Sequence, residues 1–315
     1  MTETAVLQVE GLTRRFGDLV AVNNLSLSVQ RGEIFGFLGP NGAGKTTSIN
    51  MMCGLLRADS GQVLIHGQPV RGGDAEVRVR VGVCPQHLVL WENLTCIEQL
   101  TFVGQSYGLR AREARQRGDA LLEAMGLAEK RNRLAKTLSG GMQRRLNLIL
   151  ALVHDPDIVV LDEPEAGLDP QSRILVREYV RSLARHKTVI LTTHNMDEAE
   201  RLADRVAIID HGSLLALDTP AVLKRQVGEG DVLEITLDNG AEDALARAQR
   251  AVQRVLPDVS CAGQVLIIRA RGIVEHLPAI LSALEQASLT PGEVRLRAAT
   301  LEDVFIALTG RRLRG

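Results

Sequence analysis

Short apolar runs divide the first two thirds of the chain into predicted strands and helices. Each run is continuous, as expected for strands buried on both faces of a parallel sheet, and most are followed by a segment of helical periodicity. The pattern predicts an α/β unit with a mixed, mostly parallel sheet, whose strands are 34–38, 77–83, 158–162, 188–194 and 206–210.

Alternating polar and apolar positions predict a second, antiparallel β subdomain near the start of the chain. Residues 5–33 alternate as two strands that meet at Gly17 and Asp18, and a short strand follows at 62–66. Residues 87–137 then break the α/β alternation, with helices predicted at 94–107 and 112–125. Together with the next helix, this block predicts an inserted helical subdomain at about 87–150.

A second domain is predicted near the C-terminal end. We expect a first domain over 1–225, a linker at 226–230 and a small α+β domain over 231–315. The predicted element order of this last domain, β-α-β-β-α-β, is the ferredoxin-like arrangement, with elements at 231–237, 241–255, 259–262, 264–270, 274–287 and 292–298. A final helix begins at Thr300, and the domain carries no catalytic cluster, so we expect a regulatory or stabilising role.

Composition narrows the class of protein. Hydrophobic residues make up 45% of the 315 residues, enough for a packed core, and the net charge of −1 argues against non-specific binding to nucleic acid. The four cysteines form no CxxC pair, which favours a reducing compartment over a disulfide framework. The first residues lack a signal-peptide pattern, and no apolar run approaches the roughly 20 residues of a membrane helix, so we expect a soluble, cytosolic chain.

The strongest chemical motif is a glycine-rich loop between the first buried strand and a helix. Strand, Gly-x4-Gly-Lys-Thr and helix together predict a phosphate-binding loop, because glycines let backbone N–H groups point at an anion near a helix N-terminus. Lys45 supplies a charge for the β- and γ-phosphates, and the Thr46 hydroxyl suits Mg²⁺. The nucleotide-binding residues of the loop are Gly39, Pro40, Asn41, Gly42, Ala43, Gly44, Lys45, Thr46 and Thr47.

Four further segments carry candidate chemistry. Ser139 precedes two glycines and a helix, which indicates either an ordinary N-cap or a second anion site. The strand at 158–162 ends in Asp162, placed to hold Mg²⁺, and Glu163, placed to polarise a water against the γ-phosphate; an acidic turn is the plain alternative. His194 ends the next strand and shares that edge of the sheet, whereas the other histidines are expected to be structural. Phe16 is equally compatible with a purine-stacking site and with the core.

Taken together, these segments resemble the nucleotide-binding subunit of an ATP-binding-cassette (ABC) transporter, a P-loop NTPase cassette, over about residues 5–225. The matching positions are Phe16 for adenine stacking, the Walker A loop at 39–47, the Q-loop residue Gln86, the signature at 138–143 with Met142 before Gln143, Walker B Asp162 and Glu163, the D-loop residue Asp169, and the switch residue His194.

The resemblance implies an ATPase that uses ATP and Mg²⁺. Two subunits, most simply a homodimer, would face head to tail, with each ATP between Lys45 of one and the signature of the other, where Ser139, Gly140, Gly141 and Gln143 lie. The catalytic group would consist of Glu163, His194, Gln86 and Lys45. The metal ligands would be Thr46, Gln86 and Asp162. Gln86 would link the nucleotide state to a membrane partner.

The last residues resemble the tail of a particular subfamily. Residues 300–310 are similar to those of ATP-binding subunits that serve drug, nodulation-signal and sodium exporters, which pair with a separate permease of the type 2 export class. The chain would then lie at the cytoplasmic face of the membrane, held there by the permease. The alternatives are an importer subunit and an ATP switch acting on ribosomes or DNA. The single Walker A, the short distance to the signature and the balanced charge argue against the switch.

One residue departs from the family pattern. Glu165 lies where relatives usually carry Thr or Ser, two residues after Glu163. We expect its carboxylate to face solvent. If it turned inward, repulsion between like charges would raise the pKa of Glu163.

Overall fold

The computed structural model describes residues 5–70, 75–226, 231–237, 243–270 and 272–310. Two compact units share the chain, the first extending to Asp218 and the second beginning at Thr219. The predicted linker at 226–230 stays a prediction, because residues 227–230 lie outside the described residues. No helix in the described ranges is long and apolar enough to cross a membrane.

A six-stranded sheet forms the centre of the first unit. Its strand order is β10-β9-β3-β8-β7-β6, and all neighbours are parallel except the hairpin of β9 and β10. The strands are β3 (Ile34–Leu38), β6 (Val81–Cys84), β7 (Ile158–Asp162), β8 (Thr188–Thr193), β9 (Arg205–Asp210) and β10 (Ser213–Asp218). Successive side chains of β3 and β7 enter two different cores, so the sheet is buried on both faces, as its continuous apolar runs predict.

An antiparallel sheet packs on one side of the central sheet. Its order is β2-β1-β4-β5, formed by β1 (Ala5–Phe16), β2 (Leu19–Gln30), β4 (Ser60–Ile65) and β5 (Gln68–Pro69). Its buried side chains share a core with Phe35 and Phe37 of β3 and with the helix α1 (Lys45–Met52). The predicted antiparallel β subdomain is confirmed.

The helical subdomain packs on the opposite side of the sheet. It contains α3 (Cys96–Ser106), α4 (Ala111–Ala124) and α5 (Gly140–Leu150), with short 3₁₀ turns between α4 and α5. Thr95 and Glu98 form a capping box that starts α3. Leu100, Leu122 and Leu146 are fully buried in a core shared with the sheet.

The strand predicted at 77–83 is wrong over its first half. Residues Ala75–Arg80 form a helix, α2, and the strand β6 occupies only Val81–Cys84. The alternation of valine and arginine suggested a strand, but β7 offers no partner there, because pairing begins where Val81 meets Ile158. The helices α6 (Pro170–Leu183) and α7 (Met196–Leu202) complete the unit.

The second unit is a four-stranded antiparallel sheet with helices. The strand order β12-β13-β11-β14 is that of the ferredoxin-like arrangement predicted from the sequence. Its elements are α8 (Pro220–Gln226), β11 (Asp231–Leu237), α9 (Ala244–Val252), β12 (Val259–Ala262), β13 (Val265–Ala270), α10 (Ile273–Gln286), β14 (Pro291–Ala298) and α11 (Leu301–Thr309). The start of the helix predicted at 241–255 falls partly outside the described residues. Asp303, fully buried at the start of α11, accepts hydrogen bonds from Arg297 of β14.

Candidate nucleotide site

The glycine-rich loop joins β3 to α1 and is shaped by close backbone contacts. Gly44 has φ of 97°, and a Cβ there would lie 2.3 Å from the Ala21 carbonyl oxygen, so only glycine fits. Lys45 is buried, and its Nζ donates to the carbonyl oxygens of Gly39 at 2.7 Å and Pro40 at 3.1 Å. Burial lowers the pKa of Lys45, and nearby carboxylates oppose that shift. The loop therefore holds a cation at the helix N-terminus, as an anion site requires.

Oxygen ligands suited to Mg²⁺ lie beside the loop. The Thr46 hydroxyl is 3.5 Å from Oδ2 of Asp162, which ends β7 and is buried. The Thr192 hydroxyl donates to the other oxygen of Asp162 and so orients the carboxylate. A hydroxyl and a carboxylate are hard donors, and the Gln86 amide oxygen adds a third, so the residues fit a magnesium ion.

Glu163 lies at the centre of a polar group at the carboxyl edge of the sheet. Its Oε1 is 2.7 Å from Nδ1 of His194, and its Oε2 accepts a hydrogen bond of 2.9 Å from Nε2 of Gln86. A left-handed backbone with φ of 49° turns Glu163 out of the strand. The Thr192 carbonyl on β8 accepts from its backbone N–H at 3.0 Å. The structure thus brings together three predicted catalytic residues, each from a different segment.

A single cavity of about 580 Å³ collects Phe16 and six residues of the glycine-rich loop, whereas Gly39, Pro40 and Ala43 of the loop are not among its lining residues. Phe16 is 47% exposed at its rim, with the Arg14 guanidinium 4.9 Å from the ring centroid. The lining residues are Phe16, Leu19, Val20, Ala21, Asn41, Gly42, Gly44, Lys45, Thr46, Thr47, Gln86, Asp162, Glu163 and His211. His211, expected from the sequence to be structural, also lines the cavity. No local sequence pattern places His211 at the cavity, because it is brought there by a long-range contact: the N–H of the neighbouring Gly212 donates to the Ala43 carbonyl.

The signature segment lies elsewhere in the subunit. None of the described residues that line the cavity belongs to 139–143. Ser139 is exposed and caps α5, accepting a hydrogen bond from the Met142 N–H, whereas Gln143 donates inward to the Ala135 carbonyl. Asp169 caps α6 next to Gly141, since a Cβ on that glycine would lie 3.3 Å from its carboxylate. Signature and D-loop residues therefore form a second polar surface of the same unit.

The expectation for Glu165 is wrong. Its carboxylate is buried, not solvated, and accepts two hydrogen bonds from Arg177 of α6, at 3.0 and 2.7 Å. A bidentate arginine pair compensates the buried charge. The pair is not evident from the sequence, because Arg177 is brought near Glu165 only by the packing of α6. Glu198 of α7 lies close enough to feel the charges of both residues, and burial raises its pKa to about 7.

An exposed apolar patch begins two residues after Gln86 in the sequence. It consists of Leu88, Val89, Trp91 and Phe102, each more than 40% exposed. The rings of Trp91 and Phe102 meet edge to face with centroids 5.3 Å apart. Clustered exposed aromatic and aliphatic side chains of this kind mark contact surfaces.

A mostly parallel sheet that delivers a glycine-rich loop, a buried lysine and two carboxylates to one cavity defines a P-loop nucleoside triphosphatase. The family model for ABC transporters matches residues 22–166. The chain is 41% identical to the Nod factor export ATP-binding protein I of Ralstonia nicotianae, over 99% of this chain and 96% of that protein. It is 37% identical to the linearmycin resistance ATP-binding protein LnrL of Bacillus subtilis, over 98% and 100%.

Solved structures agree with these relatives. The ATP-binding subunit of an ABC transporter matches with a TM-score of 0.65 and 29% identity, over 71% of this chain and 93% of that one. The chain belongs to the ABC transporter family, as one of its ATP-binding subunits. The resemblance to exporter subunits seen in the sequence is confirmed, and the importer and ribosome- or DNA-acting alternatives are not favoured.

Proposed function

We propose that the chain is the ATP-hydrolysing motor of an exporter and that Glu163 positions the attacking water. The observation that carries this role is the placement of Glu163, held between His194 and Gln86 in the cavity that also contains Lys45. Two fixed partners leave the carboxylate little freedom, and catalysis of phosphoryl transfer depends mainly on such positioning.

Each group around the cavity has a role that follows from its place. Lys45 would exchange its bonds to two loop carbonyls for bonds to phosphate oxygens, and Phe16 would stack on the base. Thr46, Asp162 and Gln86 would hold Mg²⁺, which neutralises phosphate charge when it is bound. His194 would hold Glu163 in place and stabilise charge near the γ-phosphate.

A second copy of the chain would complete the ATP site. The signature at 139–141 and Asp169 lie outside the cavity, and Ser139, Gly140 and Asp169 are exposed, so one subunit would offer two separate halves of a site. A head-to-tail homodimer would place each signature N-terminus against the nucleotide of the other subunit. A helix N-terminus following two glycines suits that phosphate contact.

A separate permease of the type 2 export class is the proposed membrane partner. The apolar patch of Leu88, Val89, Trp91 and Phe102 adjoins Gln86, which contacts Glu163. A membrane protein seated on the patch would hold the chain at the cytoplasmic face and sense the nucleotide state through Gln86. Several relatives carry export in their names, and residues 300–310 resemble the tail of that subfamily.

Replacing Glu163 with glutamine tests the catalytic role. Glu163→Gln removes the carboxylate charge but keeps the shape, so ATP binding should persist while turnover falls at least about 100-fold, roughly the effect of removing a general base. With ATP, the variant should elute as a dimer in gel filtration. Glu113→Gln, an exposed carboxylate on α4, is the matched control. Normal hydrolysis by Glu163→Gln would refute the assignment.

A further inference from the structure

Two polar residues lie buried on one face of the signature helix α5. Arg144 and Asn147 are one turn apart and 5% and 3% exposed. In the described part of the chain no carboxylate pairs with Arg144. Its guanidinium instead donates to backbone carbonyls, at distances of 2.9 Å (Pro85), 2.6 Å (Gln86), 2.7 Å (Asp162), 2.6 Å (Glu163) and 3.4 Å (Pro164).

These carbonyls belong to two segments that leave the sheet side by side: residues 85–89 after β6, the Gln86 segment, and residues 162–164 at the end of β7, the Glu163 segment. Strands β6 and β7 pair as far as Cys84 and Leu161, and beyond that point the two chains turn away. The carbonyls there have left the paired part of the two strands, and a buried carbonyl without a donor costs stability. Arg144 supplies donors to both segments at once, which the planar fork of an arginine allows.

Asn147 holds the same segment at its other end. Its side-chain oxygen accepts from the Val89 N–H at 3.0 Å, and its amide nitrogen lies 3.4 Å from the Pro85 carbonyl oxygen. Helix α5 therefore binds the Gln86 segment through two residues and the Glu163 segment through Arg144. The same helix begins at the signature, capped by Ser139.

We propose that Arg144 is a positioning residue that transmits the state of the signature helix to Gln86 and Glu163 of its own subunit, and so couples the two ATP sites of the dimer. This rests on the proposed head-to-tail arrangement, in which the N-terminus of α5 contacts the nucleotide of the other subunit. Arg144 lies in the second turn of a rigid helix, so a shift of the helix reaches both catalytic segments directly. The coupling is reciprocal, because each subunit contributes one α5.

The test compares ATP dependence of turnover in Arg144→Gln, Arg144→Lys and the wild type. Wild-type turnover should rise with ATP with a Hill coefficient above 1. In both variants the coefficient should fall to about 1 and kcat should fall about tenfold or more, the size of a coupling free energy near 1.4 kcal/mol. The Kd of the monomer for ATP should change less than about twofold, since Lys45 and Phe16 are untouched. Arg131→Gln, which removes a half-buried arginine paired with Asp119 outside the cavity, should change none of these values.

Two controls separate the possible failures. Lysine keeps a donor and a charge at residue 144, so Arg144→Lys keeps the test decisive if the glutamine variant does not fold. Cooperative, wild-type turnover by a folded Arg144 variant overturns the coupling role. A different result would refute the proposed dimer itself: Glu163→Gln alone forms no dimer with ATP. If the Glu163→Gln, Arg144→Lys double variant dimerises yet the Arg144→Lys variant remains cooperative, only the coupling fails.

Discussion

Glu198 should make the stability of the protein depend on pH in a way that glutamine removes. The side chain is 5% exposed, and its Oε2 accepts a hydrogen bond from the Thr193 hydroxyl. Among the described residues, no group donates a hydrogen bond to its Oε1. Arg177 is the cation nearby, but both of its bonds go to Glu165. Burial, and repulsion from Glu165 and Glu163, raise the pKa of Glu198 from 4.5 to about 7.

The direction of this pH dependence follows from proton uptake at Glu198. Between pH 4.5 and about 7 the folded protein binds more protons at Glu198 than the unfolded chain does, so the free energy of unfolding falls as the pH rises. The loss is complete above about pH 7. At about 1.4 kcal/mol per pH unit, the interval corresponds to about 3 kcal/mol. Glutamine does not titrate, so Glu198→Gln should be stabilised relative to the wild type by about 3 kcal/mol more at pH 8 than at pH 4.5.

Urea unfolding of the two proteins at pH 4.5, 6 and 8 measures this difference. Trp91, the single tryptophan, lies in the same unit as Glu198, so its fluorescence reports the relevant transition. Placing an amide beside Thr193 changes the free energy of unfolding by an amount that does not depend on pH, so this change cancels when the difference between the two proteins is compared across pH. Glu113→Gln, at an exposed position, should leave the wild-type pH dependence unchanged. If Glu198→Gln loses stability with pH as steeply as the wild type, Glu198 does not hold a proton in the folded protein.

Two other changes test the nucleotide site and the membrane contact. Lys45→Ala should weaken ATP binding at least about tenfold, because the buried ammonium is lost together with its proposed phosphate contact, which contributes on the order of 1.5–3 kcal/mol. Fluorescence titration with a labelled nucleotide measures the Kd, and an unchanged Kd would contradict the phosphate-binding role of Lys45. Trp91→Ala should reduce co-purification of the chain with a membrane-spanning protein from detergent extracts while ATP binding stays the same, whereas equal recovery would exclude the patch as the contact.

Local motifs made the loop of the candidate nucleotide site predictable, whereas contacts that depend on packing were missed. The loop around Lys45 carries its own signals, because strand, glycines and helix are adjacent in the sequence. The hydrogen bond between Gln86 and Glu163 follows from neighbouring parallel strands. In contrast, the burial of Glu165 depends on Arg177, and these two residues meet only through the packing of α6. Residue pairs of this kind leave no periodic or local pattern in a single sequence.

The signature helix satisfies two opposed requirements along one element, and this explains why an arginine is found at residue 144. The helix begins exposed at Ser139, as the proposed phosphate contact requires, and ends buried against the sheet. Between these ends it meets carbonyls of two segments that have left the pairing of β6 and β7. An apolar side chain there would remove the hydrogen bonds that Arg144 donates, at about 1–3 kcal/mol for each buried carbonyl left without a donor. The Glu163 carbonyl would keep its bond from the Ala166 N–H. A lysine has donors on one atom only, whereas guanidinium donors on three nitrogens reach both segments. The residue that best satisfies the carbonyls is therefore also the one that links the Gln86 and Glu163 segments to the helix.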